Sequence, residues 1–352
     1  MTVLYLTEQH AAVSLDAETL IVKMPPTGDQ PKQKVRVPLM KVSGVVVQGN
    51  ITLTTPAVGA LLERGADICY LTAYGTFVGH TSGALHKHGV LRLIQRRAHD
   101  DPDAALHVAK VCVRSKLHNQ RTQLLRGNRT RYHPETTQAV DTLSELIKSV
   151  DVLPDCDVPP PDPQRPQAGT VLGTLMGIEG AGAAAYFKGF GALLNKPWTF
   201  SGRHKRPPTD PINALLSYGY TILTNQTVAA AHIVGFDPYV GFLHSTQYGK
   251  PALALDIVEM FRIPIVDSVV LTLLNNGTLA PEDFTETFGA WRMRDNTRRT
   301  FLQKFEERMN TEIKHPVLGD RVSYRRCLEL QMRLLSRWLL GELKRFRGFQ
   351  IR

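Results

Sequence analysis

Over the first 82 residues, apolar and polar positions alternate in short runs at 3–6, 12–15, 19–22, 34–37 and 42–47, separated by Gly, Pro and Asp. Alternation of period two is the mark of half-buried strands, and the turn-forming residues set their lengths. One helix interrupts them, with Thr55 as its cap, Pro56 in its first position and a run over 57–64 that stops at Gly65. Two more strands are predicted at 66–70 and 76–80. Beyond residue 82 the period becomes that of helices and stays so to the end. A helix beginning at Asp101 and Pro102 aligns Leu106, Ala109, Val113, Leu117 and Leu124 on one stripe, with Gln120 on the same face. A last helix over 323–345 puts Leu328, Met332, Leu335, Leu339 and Leu343 on one side, and turns Arg325, Arg326, Arg333 and Arg337 mostly away from it. The pattern predicts an α+β protein. A small N-terminal β-rich domain (1–82) and a linker (83–92) lead to a larger all-α domain (93–352) with a basic tail. No internal repeat is visible.

Composition adds a partner to this picture. A chain of 352 residues with 43% hydrophobic and 21% charged residues is globular and long enough for two or more domains. Its formal net charge is +10, and residues 321–352 hold nine Arg or Lys against two Glu. So local a bias suggests a polyanion. The four cysteines (Cys69, Cys112, Cys156 and Cys327) form no CxxC pair, which excludes the usual structural zinc spacings and fits free thiols in a reducing cytoplasm. The N-terminal stretch lacks the features of a signal peptide. Residues 168–187 have the length of a membrane span. Their Gly and Ala content and a central Glu179 fit a closely packed helix of a soluble protein better. Before it, residues 151–167 carry six prolines and read as a semi-rigid connector.

Glu179 is the only charged residue in that 20-residue stretch, and a buried carboxylate must be held by a cation or by hydrogen bonds. Downstream, His244 closes the run GFDPYVGFLH. Asp256 and Glu259, three apart in LALDIVEMFR, share one helix face with Arg262 a step further on. Carboxylates plus one imidazole suit Mg²⁺, with tolerance for Mn²⁺. The other reading makes Glu179 an ion-pair partner and His244 a satisfied core histidine. Arg203, His204, Lys205 and Arg206 crowd the segment before Asp210 and Pro211, either as a phosphate-gripping loop or as a solvated turn. Arg114, Lys116, Arg121, Arg126, Arg129 and Arg131 form a third basic region, of the kind that commonly solvates an exposed helix face. There is no GxxxxGK[ST] loop, HExxH or G-x-S-x-G, and no dinucleotide-binding glycine pattern following a strand.

Four blocks resemble the CRISPR-associated integrase family, the universal endonuclease-like subunit of spacer acquisition: GIEGAGAAAYF at 177–187, RPPTDPINALLSYGY at 206–220, GFDPYVGFLH at 235–244 and LALDIVEMFR at 253–262. The resemblance implies a small β domain followed by a helical catalytic domain. It implies metal ligands and catalytic residues at Glu179, His244 and Glu259, with Asp256 as an alternate or outer ligand, and Mg²⁺ or Mn²⁺ as cofactor. DNA contacts are expected at Arg203, Lys205, Arg206 and Arg262. The implied activity is metal-dependent cutting and joining of DNA, in which the 3′-hydroxyls of short double-stranded fragments attack CRISPR repeat DNA. The implied assembly is a pair of homodimers bridged by a dimer of a small ferredoxin-like partner subunit, with no membrane involved. A transposon integrase or branched-DNA nuclease on the same fold is the nearest alternative, and a non-catalytic DNA-binding scaffold the more distant one.

Overall fold

The computed structural model describes residues 2–26, 33–83, 89–130, 132–156, 170–204 and 207–352. By its internal contacts the chain divides into two units, Met1–Lys87 and His88–Arg352. The expected order, strands first and helices after, is the order observed.

In the first unit, strands β1 (Thr2–Leu6), β2 (Ala12–Asp16), β3 (Thr19–Lys23), β4 (Lys34–Pro38), β5 (Val42–Gln48) and β6 (Thr52–Leu53) precede helix α1 (Thr55–Glu63), and β7 (Asp67–Leu71) and β8 (Phe77–Thr81) follow it. They make two four-stranded sheets, β1-β5-β7-β8 and β4-β3-β2-β6. The first pairs β1, β5 and β7 in parallel and adds β8 antiparallel. Its central strand β5 reads VSGVVVQ, apolar with little alternation, because both of its faces are covered. Leu6, Val45, Val47 and Ile68 from this sheet, Val13, Leu20 and Val22 from the other, and Ala57 and Leu61 from α1 share one core. Helix α1 begins one residue earlier than expected: Thr54 has the extended N-cap backbone and Thr55 is already helical. Pro56 remains in the first turn, where its missing N–H costs nothing.

The second unit starts with α2 (Gly89–Asp100) and the 29-residue α3 (Pro102–Thr130), capped by the Asp101 carboxylate. The whole expected stripe of α3, Gln120 included, is buried. Against α3 pack α4 (Pro134–Val152) and α5 (Val171–Ala192). Two glycines of α5 permit this approach. A Cβ at Gly182 would collide with Leu117 of α3, and one at Gly189 would sit 2.8 Å from Ala139 of α4. Gly182 and Gly189 are therefore packing requirements, and among the described residues no helix is long and apolar enough to cross a membrane. Most of the proline-rich connector lies outside the described residues.

Helix α6 (Pro211–Val234) is capped by Asp210, whose Oδ1 accepts from Asn213 N at 2.7 Å, and ends at Gly235 in the left-handed region. Then come α7 (Ala252–Val258), a π-helical turn over Ile263–Asp267 and α8 (Ser268–Asn275). Two small antiparallel pairs correct the all-α expectation for this half. One is the hairpin β9 (Phe284–Thr287) and β10 (Ala290–Met293). The other joins β11 (Glu312–Lys314) to β12 (Arg321–Ser323), on the far side of α9 (Asp295–Asn310). The last helix, α10 (Tyr324–Leu339), stops six residues short of the predicted end. Gly341 takes a positive φ, and the chain beyond it runs without regular structure, burying Phe346, Phe349 and Ile351. Of the four arginines expected to face outward on α10, Arg325 points inward, paired with Glu306 of α9 at 2.6 Å.

Candidate metal centre

Three helices of the second unit bring the candidate residues together. Glu179 lies on α5 three residues before Gly182, on the face that closes against Leu117. Lys116, the residue before Leu117, is thereby brought to Glu179. Its ammonium forms an ion pair with Glu179 Oε1 and lies 2.7 Å from Glu259 Oε2 at the end of α7. Glu259 Oε1 takes Arg262 at 2.5 Å and faces His244 Nε2 at 3.9 Å. Glu179 and Glu259 thus share one buried lysine, and His244 faces the second oxygen of Glu259. Lys116 was grouped from sequence with a solvated basic face, yet its side chain is only 8% exposed. The available signal was its place beside the apolar stripe, one turn before Gln120.

Asp256 has a different occupation. It is fully buried and accepts four hydrogen bonds, from Phe242 N (2.6 Å) and Leu243 N (3.0 Å) at Oδ2, and from His244 N (2.9 Å) and His244 Nδ1 (2.8 Å) at Oδ1. An ionised carboxylate only accepts, so Nδ1 carries the ring hydrogen and Nε2 presents its lone pair when the ring is neutral. The segment that bears His244 is braced again from α2. Gln95 Nε2 donates to Asp237 O and Val240 O at 2.8 and 2.7 Å, and His99 Nδ1 meets Gly241 O at 2.6 Å. From α3, Asn119 Nδ2 donates to Met260 O and Phe349 O, at 2.7 and 3.0 Å. Nothing local in the sequence marks Gln95, His99 or Asn119 as part of this frame.

Arg262 is held on two sides, by Glu259 and by the ring of Tyr220, 5.0 Å from its guanidinium carbon. Arg203 also lies over Tyr220, at 5.4 Å, and donates to Asn213 Oδ1 and Ser217 Oγ at 2.7 and 2.9 Å. Arg203 is therefore engaged in the packing of α6 rather than extended into solvent. Lys205 and Arg206 lie outside the described residues. The Tyr220 hydroxyl donates to Asp267 Oδ1 at 2.7 Å and Tyr186 donates to Oδ2 at 2.8 Å, so one carboxyl in the π-helical turn ties α5 to α6. That wide turn frees a backbone carbonyl at Pro264, which Arg308 Nε satisfies at 2.7 Å.

The electrostatics follow the geometry. Burial opposes ionisation of Glu259, but Arg262, Lys116 and His244 outweigh it and hold its pKa down at about 2. Burial likewise works against the Lys116 charge, and Glu259 and Glu179 overcome it, raising its pKa above the ordinary lysine value. Asp267 goes the other way. Burial dominates its hydrogen bonds from Tyr220 and Tyr186 and raises its pKa to about 6. Its neutral form suits the fold better, so its contribution to stability is greatest below the unfolded value near pH 4. It falls as pH rises to about 6, by up to about 3 kcal/mol for roughly two pH units at about 1.4 kcal/mol each. Asp267→Asn is expected to remove this decline and to gain stability above pH 7. Urea unfolding of both proteins at pH 4.5 and 7.5 tests it, and an equal stability difference at the two pH values would count against it.

Among the described residues, no three His, Cys, Asp or Glu side chains are already gathered as a cage for a metal ion. The donor set nevertheless fits a hard divalent cation. Two carboxylates face a common positive charge, and an imidazole is oriented through its other nitrogen by a buried carboxylate.

Comparison with known proteins shows the family. Residues 4–307 match the family described as CRISPR associated protein Cas1. The chain is 35% identical over 350 residues to CRISPR-associated endonuclease Cas1 3 of Thermus thermophilus, covering 99% of this chain and 97% of that protein. It is 36% identical over 358 residues to a Cas4/Cas1 fusion of Geobacter sulfurreducens, covering 99% of this chain but only 60% of the fusion. Among solved structures, a casposase bound to integration product superposes with a TM-score of 0.82 at 22% identity, covering 99% of this chain and 93% of the casposase chain. A Cas6-RT-Cas1–Cas2 complex gives 0.76 at 26% identity, covering 99% of this chain and 36% of the other. The chain belongs to the Cas1 family of CRISPR-associated proteins. Its relatives named above are called endonucleases.

Proposed function

We propose that this protein is a metal-dependent DNA integrase and endonuclease of CRISPR adaptation, which joins the 3′-hydroxyl ends of short duplexes to the edge of a repeat by transesterification. The observation that carries the reading is that Glu179 and Glu259 share Lys116 while His244, held by Asp256, faces Glu259, in a chain of the Cas1 family. Glu179, Glu259 and His244 Nε2 are the proposed holders of Mg²⁺ or Mn²⁺. When bound, the cation supplies Lewis-acid charge to the scissile phosphate. Lys116 holds the two glutamates in register and helps to keep Glu259 ionised. Arg262 fixes Glu259 Oε1, and Asp256 fixes the tautomer and direction of His244. Lys205 and Arg206 are proposed phosphate contacts, whereas Arg203 is bound to Asn213 and Ser217 of α6. A homodimer and a small ferredoxin-like partner are proposed as the working assembly. The named complex of a structural neighbour with Cas2 supports the latter.

Strand transfer tests the reading. A supercoiled plasmid carrying a leader and repeat is mixed with a short duplex bearing free 3′-hydroxyls, with Mg²⁺ or Mn²⁺ or with a chelator, and with and without the partner subunit. The expected result is joining at the repeat edge that vanishes with the chelator. Cation-dependent cutting without joining would replace integration by branched-DNA cleavage. DNA binding with neither reaction would reduce the site to an ion-pair network in a scaffold.

A further inference from the structure

Lys116 puts a positive charge on the oxygens that a divalent cation would need. Its ammonium joins Oε1 of Glu179 to Oε2 of Glu259, two of the three proposed ligands, and the two carboxylates overcome the burial that works against its charge. A lysine is almost never buried to this degree unless it is paired, and this one takes its pairing from carboxylate oxygens of the kind that hold Mg²⁺ and Mn²⁺. An ammonium left on those oxygens would face the ion with no anion between them, at a depth where water and salt screen little. The two positive charges are therefore alternatives. The protein by itself satisfies both glutamates with Lys116, and a divalent cation has to displace it.

The surroundings give the exchange a direction. The Glu259 side chain is 4% exposed and is fixed at Oε1 by Arg262, so it stays in place. Those of Glu179 and His244 are 29% and 26% exposed, so the centre opens to solvent on their side. Lys116 carries its charge on a flexible four-carbon stem, which lets the ammonium change neighbours while α3 stays where it is. Glu179 is the only charged residue between 168 and 187, so α5 offers the displaced ammonium no second carboxylate. The anion that replaces Glu179 then has to come from outside. In the DNA reading, it is a backbone phosphate.

We propose that Lys116 is a resident counter-ion, which keeps divalent cations out of the centre until a DNA phosphate draws its ammonium away, so that cation loading and DNA binding favour each other. No proton moves in the exchange: the ammonium trades a glutamate for a phosphate, and the cation takes the oxygens released. The inference rests on the metal and DNA readings above and adds the linkage between them. Mn²⁺ affinity of the full-length protein is measured from the loss of the free-ion paramagnetic resonance signal. It is measured alone and with a short duplex whose 3′ ends are dideoxy, so that no strand transfer follows. The complex of Glu259→Gln with the same duplex is the blank for Mn²⁺ held by DNA itself. Wild type is expected to bind Mn²⁺ about 5- to 150-fold more tightly with the duplex than without it. Lys116→Met keeps most of the stem and loses the charge. Without DNA it is expected to bind Mn²⁺ more tightly than wild type by a similar factor, because no fraction of it is closed by the lysine. The duplex should then add less to its affinity, and Lys116→Arg should restore the wild-type pattern. A lysine that only aligns the two glutamates predicts the opposite sign, weaker Mn²⁺ binding in Lys116→Met, and that result or an unchanged affinity overturns the inference. An equal gain from the duplex in both proteins also overturns it, since the phosphate would then act on the cation and not through the lysine. Where Lys116→Met does not fold, Lys116→Gln takes its place, and a wild type whose Mn²⁺ affinity ignores the duplex overturns the inference without any variant. Mn²⁺ binding by neither protein, with or without DNA, would instead remove the metal reading on which the inference stands.

Discussion

Glu259→Gln is expected to lose at least about 10²- to 10³-fold in cation-dependent strand transfer, and to lose stability at the same time. Both effects come from one carboxylate that serves three neighbours. At Oε2 it faces Lys116, and at Oε1 it takes Arg262 and faces His244. The amide keeps the shape and removes the charge. Lys116 then has Glu179 alone, and Arg262 keeps the Tyr220 ring but loses its ion pair. Breaking a buried pair on one side costs about 3–5 kcal/mol, because the opposite charge stays behind without compensation. The pH dependence separates this effect from general damage. Glu259 titrates near 2 in the folded protein, against about 4.3 when unfolded. Its pairing therefore stabilises fully above pH 4.3, and the benefit is lost as pH falls towards 2. Chemical denaturation between pH 3 and 7, in the presence of a chelator, should show a steeper acid loss in wild type than in the Gln variant. Parallel curves would mean that Glu259 is not the anion which holds this network. Retention of strand transfer by a folded Glu259→Gln protein would remove it from the proposed ligand set.

How much of this site was readable in the chain depends on how local each signal is. Glu179 stands out because its 20-residue surroundings contain no other charge, and Asp256 and Glu259 because a three-residue spacing fixes one helix face. The α3 stripe from Leu106 to Leu124 was equally plain, since every member of it is buried. Lys116 was not readable in its role. It lies in a row of basic residues, and it is the buried member only because Gly182 of a distant helix closes on Leu117 beside it. Arg325 was misplaced for the same kind of reason: its partner Glu306 comes from another helix. The β9–β10 hairpin has four residues in each strand and no Asn-Gly turn, so its pattern is too short to outweigh the helical period around it. Helical period, caps and isolated charges are written locally. Choices among several like residues are made by packing at long range.

The same contrast sets the expectation for Asp256, read from sequence as an alternate ligand and found with both oxygens already taken. Asp256→Asn is expected to weaken Mn²⁺ binding by about 10- to 100-fold and strand transfer by at least as much, although Asp256 meets the proposed cation only through His244. The amide nitrogen that replaces one oxygen is a donor facing donors. Either the N–H groups of Phe242 and Leu243 lose their acceptor at Oδ2, or those of His244 lose theirs at Oδ1. Orphaned buried donors cost about 1–3 kcal/mol each, so a folded but less stable protein is expected. A second consequence falls on the imidazole. Without a carboxylate at Nδ1 the ring hydrogen is free to move to Nε2, which removes the lone pair from the side that faces Glu259. Nitrogen-15 chemical shifts of the His244 ring report that tautomer directly, and Mn²⁺ titration by isothermal calorimetry reports the affinity. A purely structural Asp256 would lower the melting temperature and leave the tautomer and the Mn²⁺ affinity of the folded protein unchanged. A coupled loss of the Nδ1–H tautomer, of Mn²⁺ affinity and of strand transfer would instead identify Asp256 as the residue that aims His244.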